Sequence, residues 1–352
     1  MIEEQFGTAA RQYEEYLRQS FPETLSELPI TFCIKCNHKP TPFRHYINPP
    51  AKLIKRLDRL EQTRGAQCLS VFLKYLLCCS VVHTVDNLKK EVNSKTLSEN
   101  HLGLFFQWYQ RIFEDLSKQP DDYYHHRNGD GYRQDLAIAG LRAIPIGGAW
   151  LIELIYHRRT KPGDRNATLD VKDAAQIDIY NSLHPQEVTA FVWEQVKKIS
   201  PRSVKNAMKN GLKVLRAILG EYKLYVVIHT ADRQRSKFTP KHMTQGYHYI
   251  AELLELRKNL AGVYRASWFL DPALKTMSPR LAFLWELPCN NGAELVYLGL
   301  NNEGKALEAA PARQQAYQQG DYLPRTFAYH WQRNDLIAWS NEESGNTKRS
   351  QS

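Results

Sequence analysis

Helix-start signals alternate with apolar runs in the C-terminal part of the chain. Ser200-Pro201, Thr239-Pro240 and Ser278-Pro279 each place a hydroxyl before a first-turn proline, which is typical of a helix N-terminus. Apolar runs of strand length, YKLYVVIH, AGVYRASWFL and AELVYLGL, lie between and after them. Alternating strands and helices pack as a sheet covered by helices. The sequence therefore predicts an α/β fold with a mixed, largely parallel sheet flanked by helices, with an α+β fold as the alternative.

The pattern also predicts how the sheet ends and what precedes it. TFAYHWQ and LIAWS, joined at Arg333 and Asn334, are expected to close the sheet as a hairpin. Nearer the N-terminus, apolar residues at helical spacing predict helices over 1–20, 51–63, 66–92 and 98–117. Ser98 is the expected cap of the last of these helices.

The stretch 119–134 is polar, charged and broken by proline and glycine, which predicts a linker. We therefore expect a mainly helical domain over 1–118, an α/β domain over 135–341 and a disordered tail over 342–352.

The charge balance of the chain favours anionic partners. Lys and Arg number 47 against 37 Asp and Glu, which gives a net charge of +10 and a pI near 9.2. Phosphates, nucleic acid, acidic carrier proteins and membrane headgroups all fit this charge. The N-terminus lacks a cationic start followed by an apolar core, and the apolar run CLSVFLKYLLCCSVV is shorter than a spanning helix and contains Lys74. We expect a cytoplasmic protein with reduced thiols and no transmembrane segment.

The loop TADRQRSKFTP follows the strand predicted at 222–229 and precedes a helix start. It places Arg233, Arg235 and Lys237 where side-chain charge adds to the free N–H groups and dipole of a helix N-terminus. This arrangement suits phosphate or carboxylate. A solvated polar loop is the alternative, because the loop lacks the glycines with which a backbone wraps a phosphate.

Titratable and aromatic residues fall at the predicted carboxyl ends of two strands. His229 ends the strand before the basic loop and can move protons near neutral pH, unless it is a hydrogen-bonded structural histidine. On the strand predicted over 262–270, Ser267 and Trp268 are expected on the same side as His229, followed by Asp271.

A helix cap is the alternative role of Asp271, since Pro272 follows it. Ser267 lies in no G-x-S-x-G elbow. Arg265, on the strand face opposite Trp268, is a further candidate for binding substrate.

The Pro-rich segment from 30 to 50, expected to be irregular, contains potential zinc ligands. Cys33 and Cys36 form a Cys-x-x-Cys pair, with His38 and His45 following. Structural zinc sites usually take their second ligand pair from a separate knuckle, so a loop without metal is the alternative. Any metal bound here is expected to be structural.

The element order from 222 to 340, strand, basic loop, helix, strand, short helix, strand, helix and hairpin, resembles the C-terminal half of the GNAT-type acyltransferase fold. The resemblance implies that the loop over 230–240 holds the pyrophosphate of an acyl-CoA, and that acyl transfer to an amine needs positioning and a proton acceptor. The glycine-containing phosphate motif of that family is not present, and side-chain cations stand in its place.

These observations predict an acyltransferase-like transferase that uses a CoA or carrier-protein thioester and needs no bound cofactor. Arg233, Arg235 and Lys237 would hold phosphate, His229 would take the amine proton and Trp268 would shape the pocket. A non-catalytic, nucleic-acid-associated protein is the alternative, with cations along 196–216. A third possibility is a peripheral membrane protein that docks through 51–82.

Overall fold

The computed structural model describes residues 2–37, 51–118, 130–158, 222–230, 237–300, 306–307 and 310–350. The sequence also predicts helices over 170–183, 185–199 and 201–219, and these segments lie outside the described ranges. The chain divides into two compact units. The first comprises Met1–Pro40, His45–Glu153 and Ile228–Arg257, and the second comprises Thr41–Arg44, Leu154–Val227 and Lys258–Ser352. The expected domain boundary at 119–134 stays a prediction.

The first unit is mainly helical. Its helices are α1 (Ile2–Ser20), α2 (Thr24–Glu27), α3 (Ile30–Asn37), α4 (Ala51–Asn93), α5 (Glu99–Lys118), α6 (Asp130–Ala139) and α7 (Pro240–Leu256). Two of the predicted caps are present, because Ser98 Oγ accepts from His101 N–H and Thr239 Oγ1 accepts from His242 N–H. Ser278 precedes a 3₁₀ turn and makes no side-chain cap hydrogen bond, and Ser200 lies outside the described residues. The helical N-terminal region is therefore confirmed.

α4 lies at the centre of the first unit, with α1 and α3 packed against it. Gly65 has φ 85° and ψ 168°, so two helical stretches meet there, as the sequence predicts for 51–63 and 66–92. By length and composition, Lys52–Asn93 contains a window that could cross a membrane. Because 83% of that window is buried inside the protein, we interpret α4 as a core helix.

Two segments of the first unit differ from the expected structure. Residues 30–37 form α3 rather than an irregular loop, and the helix buries Cys33 and Asn37. Asp130–Ala139 forms α6, where the sequence predicts the end of a linker and a strand. Both segments contain short apolar runs, and a short apolar run does not distinguish a buried helix from a strand.

Among the described residues, the sheet has six strands in the order β1-β2-β3-β4-β6-β5. They are β1 (Ile144–Pro145), β2 (Trp150–Arg158), β3 (Tyr222–Thr230), β4 (Leu260–Ser267), β5 (Glu294–Leu300) and β6 (Arg325–Gln332). β3 and β4 are parallel, whereas β6 is antiparallel to both β4 and β5, and β1 is antiparallel to β2. The predicted α/β fold with a mixed sheet flanked by helices is confirmed. The expectation that the sheet is largely parallel is wrong, because β1 with β2, β4 with β6 and β5 with β6 are antiparallel pairs.

The second unit places short helices between its strands and ends in a long one. Trp268–Leu270 and Pro279–Leu281 are 3₁₀ turns; the helices are α8 (Leu274–Met277), α9 (Phe283–Asn290), α10 (Pro311–Gln318) and α11 (Arg333–Ser350). The hairpin expected from TFAYHWQ and LIAWS is wrong, because LIAWS belongs to α11. Leu336 and Trp339, three residues apart, are both buried, and that spacing fits a helix face rather than a strand. The helix continues through the tail expected to be disordered as far as Ser350.

Candidate active site

The first unit contains a cleft of about 170 Å³ that is lined by cations. α5 contributes Arg111, the segment before α7 contributes Lys237, and the first turn of α7 contributes His242. The turn between β1 and β2 lines the cleft through Gly147 and Gly148. Cationic side chains from separate parts of the sequence therefore converge on one concavity.

Arg111 and Lys237 are held in the cleft at an electrostatic cost. Burial and the charge of Arg111 lower the pKa of Lys237. Burial also lowers the pKa of Arg111, although Glu114 and Asp115 act in the opposite direction. Within the described part of the chain, neither cation has an ion-pair or hydrogen-bond partner. An anion bound in the cleft would offset the repulsion between them.

The glycine turn is packed against the start of α7. Gly147 and Gly148 have φ values of 84° and 56°, which side-chain-bearing residues rarely adopt. A Cβ on Gly148 would lie 2.7 Å from Cβ of His242. His242 is in turn held by Thr239, whose Oγ1 lies 2.8 Å from its Nδ1. The turn and the helix start therefore fix the position of the imidazole at the cleft.

The indole of Trp108 forms part of the cleft wall and is anchored from behind. Its Nε1 donates to Oδ1 of Asp135 at 3.2 Å, and both residues are buried. Burial raises the pKa of Asp135 well above its usual value. Asp135 thus orients a cleft residue through an acceptor that is costly to ionise.

His229 lies at the carboxyl end of β3, in the first unit, and contacts a buried glutamate. Its Nε2 is 2.8 Å from Oε1 of Glu153 on β2, which is an ion-pair distance, although the two atoms lack hydrogen-bond alignment. The Glu153 side chain is 4% exposed and that of His229 is 29% exposed. A buried carboxylate that fixes a partly accessible imidazole is an arrangement suited to proton transfer.

The site residues expected on the next strand lie in the second unit and serve structural roles there. Trp268 is not on β4 but in the 3₁₀ turn that follows it, and Ser267 caps that turn by accepting from Phe269 N–H at 3.2 Å. Asp271 is fully buried and accepts from the N–H of Ala273, the residue at the N-cap position of α8, so it bonds to the start of that helix without being its N-cap residue. Its carboxylate also receives two hydrogen bonds from Arg325, at 2.7 and 3.1 Å.

Trp268 is covered by a second arginine. The guanidinium carbon of Arg313 lies 4.8 Å from the ring centroid, while Arg313 donates to Ala306 O and to Ser278 Oγ. Trp268 lines neither this first-unit cleft nor the second-unit cleft described next. Its role as a pocket wall stays a prediction, as does substrate binding by Arg265, which is 3% exposed.

The second unit has a larger and more open cleft of about 690 Å³ at the amino ends of β3 and β4. The exposed cations Lys223 and Lys258 line it, together with the carboxylate of Asp335. Ligands of open α/β sheets bind at the opposite, carboxyl ends of strands. We therefore favour the first-unit cleft as the functional one.

The remaining predicted residues are only partly described. Arg233, Arg235, His38 and His45 lie outside the described residues, as do the cations along 196–216. Burial raises the pKa of Cys33 to about 12, and Cys36 lies one helical turn further along α3. Among the described residues, no group of three His, Cys, Asp or Glu side chains is placed to hold a metal ion. Zinc binding at this segment stays a prediction.

Comparison with known proteins adds no family to this description. No family model matches the chain, and no curated protein or solved structure matches it.

Sequence reasoning identified Lys237 and His229 but missed the residues that accompany them. Arg111 lies on helix α5 and Glu153 on strand β2. The apolar pattern of each element predicts its secondary structure but gives no functional role to a charged residue within it. Gly147 and Gly148 carried a signal, because paired glycines mark a backbone with positive φ. The spacing of these glycines does not fit a dinucleotide-binding turn, so the sequence alone assigns them no function.

Proposed function

We propose that the protein is an acyltransferase that moves an acyl group from a phosphate-bearing thioester to an amine. The donor is CoA or the phosphopantetheine arm of an acidic carrier protein. The observation that carries this proposal is the convergence of Arg111 and Lys237 on one cleft, where neither cation has an ion-pair partner among the described residues. The proposal keeps the expectation of a cytoplasmic transferase that needs no resident cofactor.

Donor binding would draw on the charge of the cleft. A phosphate oxygen that replaces water between Arg111 and Lys237 accepts charge-assisted hydrogen bonds, which are stronger than neutral ones. His242 also lines the cleft, and because its Nδ1 is held by Thr239, its other ring nitrogen would be the donor to the phosphate. The small volume suits a phosphate group and leaves the acyl chain and acceptor outside the cleft.

His229 would accept the proton in the transfer step. The amine nitrogen attacks the thioester carbonyl, the C–N bond forms, and the C–S bond breaks. The thiolate leaves and is protonated, while the imidazole of His229 takes the proton that the amine loses. Glu153 holds the ring through its contact with Nε2 and stabilises the imidazolium that forms.

The test is release of free thiol from acetyl-CoA and longer acyl-CoA donors in the presence of a panel of amines. We expect His229→Ala to lower kcat by about 10²–10⁴-fold, the usual contribution of a general base. Glu153→Gln should lower kcat and alter its pH profile with little change in KM. His248→Ala, a change of another partly buried histidine of the first unit, is the matched control. Failure of every donor and amine to release thiol, or full activity of His229→Ala, would contradict the proposal.

A further inference from the structure

The first stretch of α4 separates apolar and cationic residues onto two faces. Leu53, Leu57 and Leu60 are buried in the first unit. The exposed face has four cations at i, i+3, i+4 and i+7 spacing: Lys52, Lys55, Arg56 and Arg59. We call these four residues the α4 stripe. At about 1.5 Å of rise per residue the stripe is about 10 Å long, so the four charges lie close together along one face.

Within the described part of the chain, none of the members of the α4 stripe forms an ion pair, although, besides the hydrogen bond from Arg64, the charge of Arg59 helps to lower the pKa of Glu27. Two cations further along the same helix are paired. Arg64 contacts the carboxylates of Glu23 and Glu27, and Lys89 lies 3.6 Å from Glu3. The lone charges are therefore concentrated at the start of α4. Four like charges on one face repel each other unless an external anion is present.

We propose that the first unit docks on the surface of an anionic lipid bilayer through the α4 stripe. Clusters of four to eight basic residues on one helix face are the pattern that anionic headgroups attract. Lipids diffuse laterally, so acidic headgroups can collect beneath the stripe. The flexible lysine and arginine side chains therefore need no fixed spacing between the anions that they bind.

The chemistry of the stripe is less suited to nucleic acid. Single strands bind by stacking bases on exposed rings, and duplex sequences are read by side chains that hydrogen-bond to base edges. The ring beside the stripe is Phe32, and the Lys52 ammonium and the Arg56 guanidinium lie over it at 5.4 and 5.2 Å from its centroid. The stripe itself contributes charge alone.

The structure also limits how the protein would sit on the bilayer. The expectation of docking through the whole of 51–82 placed an apolar segment against the membrane. Residues 68–78 are instead buried in the first unit, so they have no apolar face to insert. Binding through the stripe is consequently electrostatic and is screened by salt, because the charges are exposed.

The experiment measures partition of the full chain onto vesicles. Vesicles of phosphatidylcholine with about 30% phosphatidylserine, an anionic fraction of the kind that attracts basic clusters, are compared with pure phosphatidylcholine. We expect binding to the mixed vesicles alone, and a steep decrease as the salt concentration rises. Lys55→Gln with Arg59→Gln should weaken partition by about thirtyfold, the factor that about 1 kcal/mol for each lost cation predicts.

The matched control is Lys89→Gln with Lys90→Gln, which removes the same charge from exposed positions at the other end of α4. It should leave partition within about twofold of the unchanged chain, and thermal melts should show all three proteins folded. Equal binding to both vesicle types, binding that salt does not alter, or equal loss in both variants would overturn the proposal. Tighter binding of the unchanged chain to a duplex oligonucleotide than to the mixed vesicles would overturn it as well.

Discussion

Each unit places arginine near an indole, and the two arrangements differ in what satisfies the charge. In the second unit, Arg325 bonds to buried Asp271, and Arg313 lies over Trp268 while donating to Ala306 and Ser278. In the first unit, Arg111 lines a cleft with Trp108 and is repelled by Lys237. An arginine whose N–H groups bond to acceptors inside the protein stabilises the fold. An arginine that lines a cleft without an ion-pair partner is available to bind an anionic ligand.

The largest expected effect on stability comes from removing the guanidinium that pairs with Asp271 in the second unit. Arg325→Ala leaves the fully buried carboxylate of Asp271 without its ion-pair partner. We expect a loss of about 3 kcal/mol in the free energy of unfolding, the lower end for a buried pair, because the arginine is partly exposed. Urea denaturation measures this loss, and Arg325→Lys should recover part of it. A loss below about 1 kcal/mol, typical of an exposed pair, would show that Arg325 is not structural.

The first-unit turn offers the next largest effect. Gly148→Ala forces a side chain into a backbone with φ 56° and towards Cβ of His242, so we expect a loss of about 1–3 kcal/mol. Gly147→Ala is the matched control. Its φ is also positive, but the added Cβ would meet Tyr249 at an ordinary 3.6 Å. Thermal melts should give a lower melting temperature for Gly148→Ala than for Gly147→Ala. The reverse order would argue against the packing of the turn on α7.

The buried acid of the first unit, Asp135, should make the stability of the protein depend on pH. Burial raises the pKa of Asp135 in the folded protein, so its contribution to stability is complete below its unfolded pKa and is lost as pH rises through the folded pKa. Asp135→Asn retains an acceptor for Trp108 and should remove this loss. Between the unfolded and the folded pKa of Asp135, the unfolding free energy of the variant relative to that of the unchanged chain should therefore rise by up to about 1.4 kcal/mol per pH unit. A difference between the two proteins that is independent of pH would contradict the raised pKa.

Trp268 gives the smallest expected effect. Trp268→Phe keeps an aromatic ring beneath Arg313 but weakens the cation–π contact, so we expect a loss of about 1 kcal/mol in unfolding free energy. Affinity for CoA should not change. An unchanged melting temperature with weakened CoA binding would instead assign Trp268 to a ligand pocket.

The sequence predicted most of the architecture because local signals agree with it. The Thr239-Pro240 start of α7, the Ser98 cap of α5 and the break at Gly65 each depend on residues that are adjacent in the chain. The end of the sheet was mispredicted because LIAWS is too short for its periodicity to separate strand from helix. Packing of Trp339 against Trp331, at 5.2 Å between ring centroids, fits the helix.

The candidate site was less predictable because it depends on contacts distant in sequence. Lys237 and Arg111 are far apart in the chain, as are His229 and Glu153, and no local pattern reports their proximity. Asp271 illustrates the opposite problem. The local hydrogen bond of Asp271 was predictable from Asp271-Pro272, but its pairing with Arg325, which is distant in the chain, was not. A catalytic role of Asp271 stays a prediction.

The central claim is that CoA binds in the first-unit cleft. Its most direct test is calorimetric titration of CoA into two double variants, each of which loses two cations from one of the two clefts. Arg111→Gln with Lys237→Gln should leave the melting temperature unchanged or raised, because it relieves repulsion, and should weaken CoA binding by about a hundredfold or more. Lys223→Gln with Lys258→Gln removes the same charge from the second-unit cleft and should leave the dissociation constant unchanged. Equal weakening by both pairs, or weakening by the second pair alone, would contradict the account.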